Sequence, residues 1–147
     1  MSLESLLSQG RLRRRETTRG EIQGLLRVVQ RDLKDAAVPG LSADRCFLTA
    51  YEGALNLATV PLRCLGFETH GSGHHWTTFE ILPLTMGEGL QDLAVYLESC
   101  RTKRNIGAYD RSGSISRSEA AELLKEARAF RETVVAWLRD NRPEFLD

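Results

Sequence analysis

The residues best suited to chemistry lie in one run, Arg101-Thr-Lys-Arg-Asn-Ile-Gly-Ala-Tyr-Asp110. Three cations stand close together there, and Asn105 and Gly107 follow as a way out of a helix. Cations at that position favour a helix C-terminus, where unpaired carbonyls carry partial negative charge. They also suit a second task. Arg101, Lys103 and Arg104 can project into a groove and bind phosphate, for which the planar guanidinium fork is well shaped. Asn105, Tyr109 and Asp110 would line the same rim, with Tyr109 available to stack on a base or to make a hydrogen bond.

Three further sets invite a chemical reading. His70, His74 and His75, with Cys64 nearby, offer the donor types that zinc prefers. Bringing His70 and His74 onto one face would need a helix, and Gly71 and Gly73 disfavour one, so no metal site is expected. Arg11, Arg13, Arg14 and Arg15 have the charge to contact nucleic acid, but such a run is more often a solvated face. No cysteine or serine sits in a recognisable nucleophile motif and no GxxxxGK phosphate loop occurs, so no cofactor is implied.

The elements that must position these residues follow from periodicity. Apolar residues recur at intervals of three and four in nearly every ordered segment, which predicts an all-α chain. The expected architecture is an antiparallel, up-and-down bundle of four or five helices. A first helix is expected from about Glu21 to Ala37, stopped by Pro39 and Gly40, while residues 2–15 read as a short helix or an arm. Ser42 is placed to cap a second helix that ends at Leu65 and Gly66, with Pro61 bending its last turn. Residues 67–74 read as a loop, and Trp76, Phe79, Ile81 and Leu82 as a short helix ended by Pro83. A fourth helix is expected from about Leu90 to Lys103, followed by an irregular segment from Arg104 to Ile115. Ser116 and Glu119 then form an S-x-x-E capping box ahead of a long final helix whose stripe runs from Ala120 to Leu138.

At 147 residues, 41% hydrophobic and 27% charged, the chain has the material for one compact domain. The expected division is residues 1–20 as a basic arm or short helix, 21–141 as the bundle and 142–147 as a tail. Twenty basic residues balance twenty acidic ones, so the net charge gives no reason to expect a polyanion over the whole surface. The distribution is less even. Residues 1–31 hold seven bases against three acids, and residues 99–117 hold five against Asp110 alone, so a basic face arises if the two segments meet. Cys46, Cys64 and Cys100 form no regular framework and read as reduced thiols of a cytoplasmic protein. No apolar run is long enough to cross a membrane, and the start MSLESLLSQGRLRRR reverses the charge order of a signal peptide.

These pieces together resemble the HEPN superfamily, the higher-eukaryote and prokaryote nucleotide-binding domain, over about residues 20–140. The helix Arg45-Cys-Phe-Leu-Thr-Ala-Tyr-Glu-Gly-Ala-Leu-Asn-Leu-Ala58 is similar to that family's aromatic and alanine-rich second helix. The stretch Gly66 to His75 looks like its glycine- and histidine-bearing connection, and Arg104-Asn105 like its Arg-Asn signature. Tyr109-Asp110 completes a subgroup form in which tyrosine stands where the family's ribonucleases have histidine.

The resemblance implies a helical bundle, commonly a homodimer, that binds nucleotide or RNA. Many such proteins are ribonuclease toxins of toxin–antitoxin systems, and some pair with a small nucleotidyltransferase encoded as a separate chain. In the ribonucleases the histidine serves proton transfers as the 2′-hydroxyl attacks its phosphodiester, a task suited to a group that titrates near neutrality. Tyr109, with an ordinary pKa of about 10, is a poor replacement. The expectation is therefore a nucleotide- or RNA-binding component, non-catalytic or weakly catalytic, of a toxin–antitoxin or nucleotidyltransferase-partner system. One alternative is a metal-independent endoribonuclease using Arg104 with Tyr109. Another is a structural dimeric bundle whose basic turn only caps a helix. Whether His74 or His75 reaches Arg104 across the bundle, supplying the imidazole in space, is left open by the sequence.

Overall fold

The computed structural model describes residues 1–109 and 115–146, with the side chains of 106–109 excepted. The chain is an all-helical bundle with one two-stranded ribbon. Its central member is α3 (Ala43–Cys64), which packs against α2 (Arg19–Ala36) and α7 (Arg117–Asn141), and also against α6 (Gln91–Tyr109). Each of the three helices α2, α3 and α7 begins where the sequence supplies a hydroxyl. Thr18, Ser42 and Ser116 accept from the amides of Glu21, Arg45 and Glu119, which pairs donors that a helix start otherwise leaves free. At Ser116 the box closes reciprocally, because the Glu119 carboxylate accepts from the Ser116 amide at 3.0 Å.

The core explains why α3 is central. Phe47, Ala50, Tyr51, Ala54, Leu57 and Ala58 repeat on its face and are buried against Val29 and Leu33 of α2 and Leu123, Phe130 and Val134 of α7. α2 comes close at Gly53, where an added Cβ would stand 3.4 Å from a Leu33 methyl, so a methyl fits and a larger side chain does not. Pro61 lies buried inside the last turn of α3, and the helix continues past it to Cys64. No helix among the described residues is long and apolar enough to cross a membrane.

The segments that flank α2 and α7 pack onto the bundle. Residues Leu3–Ser8 form α1 behind a Ser2 cap, and Leu12–Arg14 form β1. The stretch expected as a loop contains β2 (Phe67–Thr69), which pairs antiparallel with β1, Leu12 opposite Thr69 and Arg14 opposite Phe67. Three-residue strands carry no readable alternation, and pairing between segments so distant in sequence leaves no local trace. Leu6, Leu12, Leu62, Phe67 and Ile81 bury together beneath this ribbon as a second, smaller cluster. At the other end Gln23 donates to the carbonyls of Phe145 and Leu146, both at 2.7 Å, which ties residues after α7 to α2.

Two helix boundaries differ from expectation. The short helix before Pro83 is two pieces, α4 (His74–Glu80) and α5 (Leu82–Met86), and Pro83 stands in the first turn of the second, where a missing N–H costs nothing. After a 3₁₀ turn at Glu88–Leu90, α6 continues to Tyr109 instead of ending at Lys103. Asn105 and Gly107 are helical. Side chains at the end of α6 are tied to other helices, Lys103 to Glu119 of α7 and Arg104 to Glu52 of α3, and such tertiary contacts override weak local propensity.

Candidate functional site

The site forms where α3, α4 and α6 meet, and its floor is Tyr51. The helical stripe of α3 puts this ring fully inside the core, where Phe79 of α4 meets it edge-on at 5.7 Å between centroids. Only the hydroxyl end reaches a polar partner: the Tyr51 oxygen lies 3.0 Å from Nδ1 of His75. His75 is in the first turn of α4, which follows Gly73 in a left-handed conformation (φ 76°) that other residues rarely adopt. That turn aims the imidazole at α3.

Arg104 arrives from α6 on the opposite flank. Its guanidinium carbon sits 5.6 Å from the Tyr51 ring centroid, a cation–π contact, and one terminal nitrogen lies 3.6 Å from Glu52. The distance to Glu52 is longer than a hydrogen bond, and Arg104 Nη1 reaches Asn105 Oδ1 only at 3.4 Å. Arg104 Nε is shielded from water and has no partner among the described residues. Its charge is therefore held in place but poorly neutralised.

Its neighbours differ. Arg101 grips Glu98 in a fork, with contacts of 2.6, 2.9 and 3.0 Å, and Lys103 pairs with Glu119 at 2.7 Å. Lys103 thus faces α7 and the capping box, where it helps to hold the Glu119 carboxyl far down, at about 2. Of the expected phosphate ligands the structure brings Arg104 and Asn105 together, keeps Arg101 beside them in a fork with Glu98, and sends Lys103 elsewhere. Tyr109 is the last residue of α6, and the expected role of its side chain, like all of Asp110, lies outside the described residues.

The electrostatics follow from burial. Desolvation raises the Tyr51 pKa, so the phenol stays protonated, and it lowers that of His75, with the Arg104 cation acting in the same direction. His75 is thus a neutral imidazole at neutral pH. Its two tautomers do different chemistry. When Tyr51 donates to Nδ1, Nε2 carries the proton and is a hydrogen-bond donor; when Nδ1 donates to the phenol oxygen, Nε2 is a base.

The other sets do not converge on a site of their own. His74 turns its Nδ1 to the Thr69 hydroxyl at 3.2 Å while His75 turns to Tyr51, and no group of three or more His, Cys, Asp or Glu side chains among the described residues could hold a metal ion. Arg13 and Arg15 both bond the Glu68 carboxylate across the ribbon, and Arg15 also reaches Glu21 at 2.6 Å. Arg11 pairs with Glu80 at 3.3 Å. The arginine run is therefore largely spent on fastening β1 to β2 and α4. Sequence reasoning missed Tyr51 and Glu52, because the first reads as one more core aromatic and the second as a surface acid. Their adjacency on the helix that carries the family resemblance was the available signal.

Comparison with family models, with curated proteins and with solved structures finds no match to this chain.

Proposed function

We propose that the chain binds RNA or a nucleotide through a phosphate group held by Arg104, with His75 as the second donor and Tyr51 as the post that fixes both. One observation carries this reading: Arg104 is fixed over the Tyr51 ring, close to His75, with its charge incompletely paired, whereas Arg101 and Lys103 are both firmly paired. A phosphate oxygen at this position would accept from the Arg104 fork and from Nε2–H of His75, displacing only the loose contact with Glu52. The resemblance to the HEPN superfamily agrees with a phosphate ligand. On that resemblance the protein acts in the cytoplasm as a homodimeric component of a toxin–antitoxin or nucleotidyltransferase-partner system.

A specific observation also favours the endoribonuclease reading, in a form the sequence did not assign. His75, bonded to the Tyr51 hydroxyl while Arg104 lies over the Tyr51 ring, offers the imidazole that the sequence lacks after Arg104. In the tautomer with Nδ1–H on Tyr51, Nε2 can take the proton of a 2′-hydroxyl. The 2′-oxygen then bonds to phosphorus, the bond from phosphorus to the 5′-oxygen breaks, and that oxygen leaves as a hydroxyl after taking a proton from water, to which His75 returns the one it took. Arg104 would stabilise the charge that gathers on the phosphoryl oxygens. No metal enters this scheme.

The test is incubation of purified wild-type, Arg104→Ala and His75→Gln protein with mixed cellular RNA in EDTA, reading retention and cleavage together. Retention by wild type that weakens steeply with salt and is lost in Arg104→Ala is the expected result. Cleavage abolished by His75→Gln would establish the second reading. Arg104→Ala protein that retains RNA like wild type would sink the assignment of the site.

A further inference from the structure

Trp76, the residue after His75, is 45% exposed, and Val95 across from it on α6 is 61% exposed. An indole left in water is an unfavourable use of a large apolar surface, and this one is also held still. The Arg11 guanidinium lies 4.7 Å from the ring centroid while its Nη2 donates to Thr77 Oγ1 at 3.0 Å and pairs with Glu80. Between Trp76 on α4 and Ala94 and Val95 on α6 runs a cleft of about 200 Å³, whose remaining walls are Glu80, Gln91 and Glu98. At roughly 30 Å³ per water, that is the space of six or seven waters, on the scale of one planar heterocycle and too small for a peptide helix.

The cleft adjoins the phosphate site through α4, where Trp76 directly follows His75. On α6, positions 91, 94, 95 and 98 share the face that lines the cleft and Arg101 stands at its edge, while Arg104 lies about half a turn round the helix from Val95, against α3. At 1.5 Å per residue, Arg101 lies roughly 9 Å along the axis from Val95, about the reach of one or two nucleotide units. Glu98 joins the two regions, because it walls the cleft and its carboxylate holds Arg101. We propose that Trp76 and the α4–α6 cleft beside it form a stacking subsite for a nucleobase of the RNA or nucleotide whose phosphate sits at Arg104. The occupant is a base because the cleft couples one fixed aromatic face to a rim of amide and carboxylate groups that can pair with base amino and imino edges. Stacking tolerates every base and gives affinity without strict sequence choice. The proposal rests on the phosphate reading of Arg104.

The test uses the whole chain with two labelled probes in fluorescence anisotropy: a ten-nucleotide oligouridylate, and a ribose-phosphate decamer of equal charge without bases. Trp76→Ala should weaken the oligouridylate by about 5- to 150-fold, the range expected for one lost stacking partner. Its affinity for the abasic chain should be unchanged, and Trp76→Phe should restore most of the loss. Arg104→Ala should weaken both probes. Equal loss of both probes in Trp76→Ala would mark Trp76 as scaffold and overturn the proposal, as would no loss at all, while the Arg104 result judges the phosphate reading separately. If Trp76→Ala instead turns a dimer into a monomer with RNA affinity intact, the cleft is an interface between copies and the proposal fails. In a Trp137→Phe background, quenching of the remaining indole by oligouridylate is the expected signal, and its absence counts against stacking.

Discussion

Tyr51→Phe isolates the contact on which the site is built, since it removes one oxygen and leaves the ring. The ring's edge contact with Phe79 and the Arg104 cation above it persist, so the core is not opened. What goes is the 3.0 Å bond between the phenol and His75 Nδ1. A hydrogen bond of this kind contributes about 0.5–1.5 kcal/mol net, and leaving a buried partner unpaired adds up to about 1–3 kcal/mol. His75 is only half buried, so water can satisfy its freed nitrogen and the lower range applies, about 1 kcal/mol in total. Tyr51→Ala, by contrast, opens a cavity and should cost about 3–5 kcal/mol. Urea unfolding of wild type, Tyr51→Phe, His75→Phe and the double variant gives the coupling directly. The expected coupling is about 0.5–1.5 kcal/mol with an unchanged denaturant slope. Additivity within about 0.3 kcal/mol would mean that the two side chains do not bond in solution, and the positioning role given to Tyr51 would fall with it.

Other consequences are independent. His75 has its folded pKa below the ordinary 6.5, so the unfolded chain takes up its proton first as pH falls; stability should drop below about pH 6.5, and His75→Gln should flatten that part of the stability–pH profile. Glu52→Gln removes the carboxylate that a phosphate must displace, so RNA retention should rise, and weaker retention in a filter assay would contradict the placement of phosphate at Arg104. The Glu119 carboxyl is held at about 2 against an ordinary 4.5, so its contribution is complete above pH 4.5 and is lost on acidification towards 2; Glu119→Gln should unfold at lower denaturant at pH 7 but lose less than wild type between pH 5 and 2. Gly53→Ala should be neutral or slightly stabilising in thermal melts, whereas Gly53→Leu should cost about 1–3 kcal/mol by pushing α2 from α3, and a leucine variant that melts like wild type would deny that close approach.

The helices were legible because their signals are local. Thr18 is the instructive exception: it caps α2 so that the helix begins two residues before the expected start, in a stretch that reads as a basic arm or short helix. The ribbon was hidden because its strands are three residues each and find their partners only through the fold. At the end of α6 local reading failed in the other direction. Asn105 and Gly107 are poor helix formers, yet the cations before them have acids waiting on α3 and α7, and those contacts extend the helix. The site was half legible. Arg104 stands out by residue type, but its importance relative to Arg101 and Lys103 depends on where Glu98, Glu119 and Glu52 lie, and that is a property of three-dimensional pairing.

On the proposed function, that pairing is what distinguishes Arg104 from Arg101 and Lys103. Net charge is zero, and several arginines of the basic segments meet carboxylates: Arg13 and Arg15 meet Glu68, Arg11 meets Glu80, and Arg101 meets Glu98. A cation with a good carboxylate partner would have to give that partner up to bind phosphate, so little affinity would remain from the exchange. Arg104 has less to give up. Its Glu52 contact is long, its Nε is shielded and unpaired, and the Tyr51 ring holds the guanidinium without neutralising it. Beside it, burial keeps His75 uncharged, so the imidazole offers either a hydrogen bond or a lone pair to a phosphate ester without adding repulsion to Arg104. On the proposed function, the tautomer that Tyr51 selects would decide between holding the ester and cleaving it, which would place the choice between the two readings on a single proton shared by a buried phenol and an imidazole.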